Sequence, residues 1–465
     1  MAFRICVNTQ TPLVRFNPGY DEKEAAAGPV DLSQMVEDRD FQFSPGGVTR
    51  MVLPLLKRML LDDFIRNPHW VSLSPVGPEQ IIVDGITLSH VKLGKNVIKG
   101  YGHVKEKMWN VLHGIKGGEK PAVQPFWEKA YADFTYYNRF SADRIAHLDK
   151  EMDFDIFYIH DFQQLPVGHM LGSLKPKIFR WHIPFDESII PGEWKPFLLT
   201  YFKAYDLILV SCRRYLEALR GFGFEGNVRY IYPYIDQSIY GRPSGDELGA
   251  FCTKFGIRDE DRVILVVARL DPMKGQDTAI RAFARVVREI PNSKLVLAGN
   301  GSFSSSKGGI GLSKGERWLG KLRDLAKRLR IEDRVVFTGH INHRELQAAY
   351  ERCEMTLLPS LLEGFGLVVI ESWLYKKPTI VSSKAGVADI IVEGENGCLF
   401  DPGDIDGFAR KILTLLKNTE EAIRLGKGGF DSSKKCTLNE GTKQESEILI
   451  SLIGGQTRRD GQDAL

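Results

Sequence analysis

Residues 355–374 read MTLLPSLLEGFGLVVIESWL. Met355 to Leu358 form a short apolar run suited to a buried strand, Pro359 and Ser360 end it, Gly364 and Gly366 make a turn, and Leu367 to Leu374 begin a helix. A strand that passes through a glycine-rich turn into a helix is the repeating unit of a parallel α/β sheet. The unpaired N–H groups at such a helix start favour an anion. Two carboxylates bracket the turn. Glu363 falls within it. Glu371 lies about two turns into the helix at about 1.5 Å per residue. Taken alone, the pattern describes an exposed loop and a solvated helix carboxylate equally well, so the rest of the chain has to decide.

Working outward, short β-rich runs alternate with amphipathic segments along the whole chain. In the first half the predicted strands are residues 3–7, 70–73, 81–83, 155–159, 177–181, 207–210 and 228–231, with helical patterns at 48–61, 196–204 and 213–220. A second series follows at 263–267, 294–298, 334–337, 355–358, 378–381 and 397–400. Two successive sets of this kind predict two doubly wound, Rossmann-like α/β domains, with ligands bound in a cleft outside the carboxyl ends of the strands. The join falls near Tyr232-Pro233-Tyr234-Ile235-Asp236, where a strand ends in proline. That divides the chain into 1–235 and 236–430, with the apolar 446–453 packing back on the first domain and 454–465 a disordered tail. Residues 9–40 and 302–315, rich in Gly, Pro or Ser, read as long loops covering the cleft.

Composition narrows the function. The 465 residues exceed what one core usually serves, and 43% apolar content suffices for two. A net charge of +3, from 62 basic and 59 acidic residues, carries no footprint for nucleic acid. No span of 18 apolar residues and no signal-peptide pattern occurs, so a cytoplasmic protein without stable membrane insertion is expected. The six scattered cysteines read as buried free thiols. No H-E-x-x-H or G-x4-G-K-[ST] motif is present, which removes zinc protease and P-loop ATPase readings.

Four motifs follow strands in order. Arg269 and Lys274 lie five apart after the strand at 263–267. Gly299-Asn300-Gly301 ends the next, Thr338-Gly339-His340-Ile341 follows the one after, and Glu363 to Glu371 comes last. A planar guanidinium and a compact ammonium can together neutralise negative charge, although an isolated Arg–Lys pair after a strand is also how a surface ion pair reads. In the first half, Ser44-Pro45-Gly46-Gly47-Val48 opens a helix. His160-Asp161-Phe162-Gln163 and Trp181-His182 put polar side chains at strand ends.

Over residues from about 155 to 402, this order resembles glycosyltransferase family four. That family is the retaining two-Rossmann (GT-B) class that includes glycogen synthase relatives, sucrose-phosphate synthase and trehalose glycosyltransferring synthase. The resemblance implies a nucleoside diphosphate hexose as donor (UDP-, ADP- or GDP-linked, glucose first), a carbohydrate acceptor and no required cofactor. It assigns Arg269 and Lys274 to the leaving diphosphate, Glu363 to the donor sugar and His182 to the catalytic centre. Gly46, Gly47, Gly299 and Gly301 would approach the phosphates, and Gly339, His340 and Ile341 would read the base. Gly364, Phe365, Gly366, Leu367 and Glu371 would complete the nucleotide site. His160, Asp161 and Gln163 would contact acceptor hydroxyls. No metal is expected, because Asp153-Phe154-Asp155, which has Asp-x-Asp spacing, precedes its strand and lies at the amino end. A free monosaccharide, giving trehalose or a similar α-linked disaccharide, is the expected acceptor. A polysaccharide or lipid-linked acceptor, a sugar-nucleotide 2-epimerase and a non-catalytic nucleotide-sugar-binding scaffold stay open, as does a homo-oligomeric state.

Overall fold

The computed structural model describes residues 2–17, 29–44, 46–115, 129–300 and 310–460. They fold as two compact units, Met1–Tyr232 with Leu438–Leu465, and Pro233–Thr437.

The first unit holds β1 (Ile5–Asn8), β2 (Val14–Phe16), β3 (Val30–Asp31), β4 (Phe41–Phe43), β5 (His69–Leu73), β6 (Gln80–Val83), β7 (Ile86–Val91), β8 (Ile156–His160), β9 (Lys177–Arg180), β10 (Leu207–Val210) and β11 (Val228–Tyr230). Nine of them form one sheet in the order β11-β10-β9-β8-β1-β5-β7-β6-β3, parallel except for the β6–β7 pair, while β2 pairs antiparallel with β4. Strands β1, β5, β8, β9 and β10 are buried at every residue. Strands that read as unbroken apolar runs are those covered by helices on both faces. Strand order reverses at β1, so the carboxyl ends of β1 and β8 open side by side, tied by a 2.8 Å hydrogen bond from Gln164 Nε2 to Asn8 Oδ1.

The second unit is a six-stranded parallel sheet of β12 (Arg262–Val267), β13 (Ser293–Ala298), β14 (Val335–Gly339), β15 (Met355–Leu358), β16 (Thr379–Ser382) and β17 (Cys398–Phe400), ordered β14-β13-β12-β15-β16-β17. Its switch point lies between β12 and β15, where Ile264 pairs with Met355 and Leu265 with Thr356. In open α/β sheets the crevice at such a point is the ligand site.

Each predicted strand occurs, with ends within two residues of those read from sequence, but β2, β3, β4 and β7 were not expected. Two loop readings are corrected. Residues 9–40 include β2, β3 and the turn Leu32–Gln34, with 18–28 outside the described residues. Residues 302–309 also lie outside them, and from Ile310 the chain is already in the helix Ile310–Arg328. The second unit runs from Pro233 to Thr437, because Ile235 donates a backbone hydrogen bond to Cys436 at 3.0 Å and bridges to Thr437. Of the expected tail, residues 454–460 continue the helix Leu438–Asp460, and 461–465 lie outside the described residues. The six cysteines are free thiols, with Cys252 and Cys398 only half-buried. No helix among the described residues is long and apolar enough to cross a membrane.

Candidate active site

At the switch point of the second unit, the loops leaving β12 and β15 are zipped together. The Leu361 N–H donates to the Met273 carbonyl at 2.8 Å. Asp271 starts a 3-10 turn, Pro272–Lys274, by accepting the Met273 N–H at 2.8 Å. Gly275 ends the turn at φ +65°, and a Cβ there would stand 1.9 Å from the Pro359 carbonyl oxygen. Only glycine permits both the left-handed turn and that approach. The consequence is that Lys274 reaches across the loops, its Nζ 2.6 Å from Glu363 Oε2, both side chains less than a fifth exposed.

Glu363 is held from several sides. The Ser360 hydroxyl donates to the same carboxylate oxygen at 3.1 Å, and the Gly386 N–H donates to the Glu363 carbonyl at 3.1 Å. Burial pushes the Glu363 carboxyl up, but the charge and hydrogen bond of Lys274, the Ser360 hydroxyl and the charge of Arg269 together hold it below its ordinary value. Arg269 is half-buried in the loop after β12, its backbone carbonyl gripped at 2.6 Å by the side chain of buried Gln276. Three of the residues singled out, Arg269, Lys274 and Glu363, therefore share one small volume. Beside them Phe365 is buried, and Gly366 at φ +109° caps the helix Leu367–Leu374.

Glu371 is the fifth residue of that helix, a little over one turn in, and is 1% exposed. The solvated carboxylate is thus ruled out, and so is the estimate of two turns. Its oxygens accept from the Tyr240 and Tyr350 hydroxyls, each at 2.8 Å. Gly299 faces Gly339 across an isolated bridge, its N–H 3.1 Å from the Gly339 carbonyl. A Cβ on Gly299 would lie 2.1 Å from the Ala268 carbonyl oxygen, at φ +139°. The backbone itself requires glycine at this position, whatever approaches it. Gly301 lies outside the described residues. His340 is exposed and Ile341 half-buried at the end of β14.

In the first unit, His160 at the end of β8 and His182 just beyond β9 are brought together, Nδ1 of the first 2.9 Å from Nε2 of the second. His160 is 0% exposed and stands behind half-buried His182. Burial pushes both imidazoles well below the ordinary histidine range, with Arg180 adding to the effect on each. Both rings are neutral at physiological pH. Asp161, at φ +69°, accepts backbone hydrogen bonds from Phe162 and His182. Gln163 is half-buried. Gly46 caps the helix Gly47–Leu61 in an extended conformation, and a Cβ on Gly47 would meet nothing within 4 Å. Asp153 and Asp155 are engaged by Arg4, and Asp153 also by Lys175. Among the described residues no cluster of three or more His, Cys, Asp or Glu side chains forms a metal site.

Burial raises the Asp161 carboxyl from 3.8 to about 6, against the two backbone donors that favour its charged form. The folded chain then keeps a proton that the unfolded chain has released across that window. This contribution to stability is full below 3.8 and is lost as pH rises through about 6. Asp161→Asn is expected to flatten that part of the stability–pH curve, read as urea midpoints from pH 4 to pH 7. An unchanged slope would place the titration elsewhere.

Ser360, Tyr240 and Tyr350 were missed by sequence reasoning. Ser360 had a signal, three residues before Glu363 on the same turn. Tyr240 is 131 residues from Glu371 in sequence, and no local pattern announces it.

Residues 251–431 match the family described as Glycosyl transferases group 1, and residues 95–217 that described as Trehalose synthase, N-terminal domain. Among similar proteins, the trehalose synthase of Thermococcus litoralis is 28% identical over 284 residues, 61% of this chain and 66% of that protein. The N-acetyl-alpha-D-glucosaminyl L-malate synthase of Bacillus anthracis is 28% identical over 207 residues, 44% of this chain and 49% of that one. The match thus spans less than two thirds of these relatives. Among solved structures, the alpha,alpha-trehalose 6-phosphate synthase of Burkholderia multivorans superposes with a TM-score of 0.74 at 17% identity, covering 99% of this chain and 98% of that one. The sucrose-phosphate synthase of Thermosynechococcus elongatus gives 0.69 at 18%, covering 97% and 100%. At such identities the likeness is one of fold, and the fold is GT-B, two α/β domains with parallel sheets.

Proposed function

We propose that this chain, a group 1 glycosyltransferase carrying a trehalose synthase N-terminal domain, moves a hexose from a nucleoside diphosphate to a sugar hydroxyl with retention of anomeric configuration. One observation carries the reading. Arg269, Lys274 and Glu363 converge where β12 and β15 diverge, next to the start of the helix Leu367–Leu374. Two cations and a helix N-terminus suit the two charges of a leaving diphosphate, and a carboxylate beside them suits the hydroxyls of the sugar. As the glycosidic bond to the phosphate breaks, negative charge grows on the phosphate oxygens, and Arg269 and Lys274 stabilise it there. The departing phosphate oxygen takes the acceptor proton as the new bond forms on the same face. Glu371 holds the ribose, and His182 orients the sugars.

Free glucose is the acceptor of first choice, supported by the similarity to trehalose synthases and by the polar residues Asp161, Gln163 and His182 just beyond the ends of β8 and β9. A phosphorylated hexose is a second reading, favoured by two half-buried cations of the same unit. Burial lowers both Arg15 and Lys105; for Lys105, Glu106 opposes the shift and the charge of Arg15 adds to it. Lys105 Nζ stands 6.0 Å from the centroid of Tyr101, whose hydroxyl is raised by burial, then by Tyr137 and Asp161.

A donor-by-acceptor screen tests the proposal, with UDP-, ADP- and GDP-glucose against free monosaccharides, glucose 6-phosphate, glucans and lipid-linked sugars, in excess EDTA, with product stereochemistry read by NMR. The expected product is an α-linked disaccharide from glucose. Transfer only to a glucan or lipid-linked sugar would sink the acceptor assignment and spare the donor site. A C2 epimer formed without acceptor would make the protein an epimerase, and donor binding without turnover would make it a scaffold.

A further inference from the structure

Beneath the histidine pair of the first unit lies a buried ionic cluster that the transfer reading does not use. Arg180, the last residue of β9, is 0% exposed, and Glu445, on the helix Leu438–Asp460, is 2% exposed. The two form an ion pair. The same Arg180 nitrogen donates to the Tyr158 hydroxyl at 3.2 Å, and that hydroxyl donates to the other Glu445 oxygen at 2.8 Å. Arg180 also donates to the Ile231 carbonyl at 3.3 Å. The Tyr158 ring lies against the His160 ring, centroids 4.2 Å apart, and His160 meets His182. An unbroken set of side-chain contacts thus runs from the last helix to His182.

Docking that helix does not require charge, since Ile448 and Leu449 are already buried on it. A buried ion pair is seldom more stable than apolar residues of the same volume. The placement of this pair against the site histidines therefore points to what it does there. Both imidazoles are neutral, so one proton bridges His160 Nδ1 and His182 Nε2, and which ring owns it fixes both tautomers. His160 Nε2 is buried and has no hydrogen-bond partner among the described residues. An N–H at that position would be a buried donor without an acceptor, whereas the positive charge of Arg180, felt at the His160 ring, favours a lone pair there. The proton therefore belongs on His160 Nδ1, which donates to His182 Nε2, and the proton of His182 sits on its own Nδ1.

We propose that Glu445 is a positioning residue for His182: by holding Arg180 and Tyr158 in place behind His160, it keeps His182 in the Nδ1–H form, a hydrogen-bond donor to a sugar oxygen and not a general base. The proposal rests on the reading of His182 as part of the transfer site. Its first test does not depend on activity.

Protein labelled with ¹⁵N at histidine, with His182 assigned by its loss in His182→Ala, is read for tautomer by NMR. The wild-type ring should show the Nδ1–H pattern, and an Nε2–H pattern would overturn the proposal outright. Arg180→Met/Glu445→Leu removes both charges while keeping the volume apolar; Arg180→Gln/Glu445→Gln removes them while keeping hydrogen bonds, should the first pair fail to fold. In whichever folds, His182 should become a mixture of tautomers, and kcat should fall about 10-fold or more with donor KM unchanged, the lower end of what a misplaced donor costs. A folded double variant that keeps the Nδ1–H pattern would reduce the cluster to a structural support. Should the wild type transfer no sugar at all, the functional reading fails while the tautomer still decides this one.

Discussion

Lys274→Ala is expected to lower kcat by about 10²–10³, the cost of removing one preorganised charge-stabilising donor, with a smaller rise in donor KM. The structure sharpens why. The ammonium is paired with Glu363 at 2.6 Å in a site less than a fifth exposed for either side chain. A donor diphosphate has to compete with that carboxylate in the ground state, so part of the attraction is withheld. As charge grows on the leaving oxygens, the balance shifts toward them, and the interaction strengthens where it accelerates the reaction. Alanine removes the cation, the largest influence holding the Glu363 carboxyl down, so that carboxyl should also rise. The double variant Lys274→Ala/Glu363→Gln should accordingly lose less than the product of the two single losses, as coupled residues do. Single-turnover kinetics with saturating donor measure this directly. An unchanged kcat in Lys274→Ala would return the residue to an ordinary ion pair.

How much of this was legible from sequence depends on how local each feature is. The strand, turn and helix at 355–374 could be read because one segment carries its own apolar run, its breakers and its helix start, and the observed helix Leu367–Leu374 has the expected ends. The convergence of Lys274 on Glu363 was legible only as an order of motifs. The contact itself depends on the β12–β15 neighbour relation and on Gly275 lying against Pro359, neither of which a one-dimensional pattern contains. The helix Thr419–Ser433 shows the opposite failure. Its Gly426, Gly428 and Gly429 speak against a helix by propensity, yet a Cβ at each would lie within 2.3 Å of Lys376 O, Glu395 O or the Trp373 ring. Close packing outweighs propensity there. The depth of His160 was not legible for a related reason, since the end of a strand marks position along the sheet but not depth, and the ring is covered by Tyr158 and His182.

Glu371→Gln is expected to weaken binding of the donor and of free nucleoside diphosphate alike by about 10- to 100-fold, with kcat at saturation nearly preserved. A contact to ribose is made equally in ground and transition states, so its loss appears as binding and not as rate. Hydrogen bonds to a charged partner contribute about 1.5–3 kcal/mol each, which sets the range. The two tyrosine hydroxyls make the isosteric change more disruptive than it would be at the surface. The wild-type carboxylate accepts from Tyr240 and Tyr350 at 2.8 Å each. An amide presents an acceptor to only one of them and a donor to the other, which must turn its hydroxyl round. Tyr350 is fully buried and has little freedom to do so, whereas Tyr240 is half-buried at the edge of the unit. Tyr240→Phe should therefore cost far less than Glu371→Gln. Glu363→Gln separates the roles of the two acids. It should depress transfer by about 10² or more, on the scale of one lost charge-stabilising group, yet leave binding of free nucleoside diphosphate equal to or tighter than wild type, because Lys274 is released from its carboxylate partner. Calorimetric titration of both variants with free diphosphate is the deciding measurement, and equal losses in the two would mean that the sugar and ribose assignments of Glu363 and Glu371 are wrong.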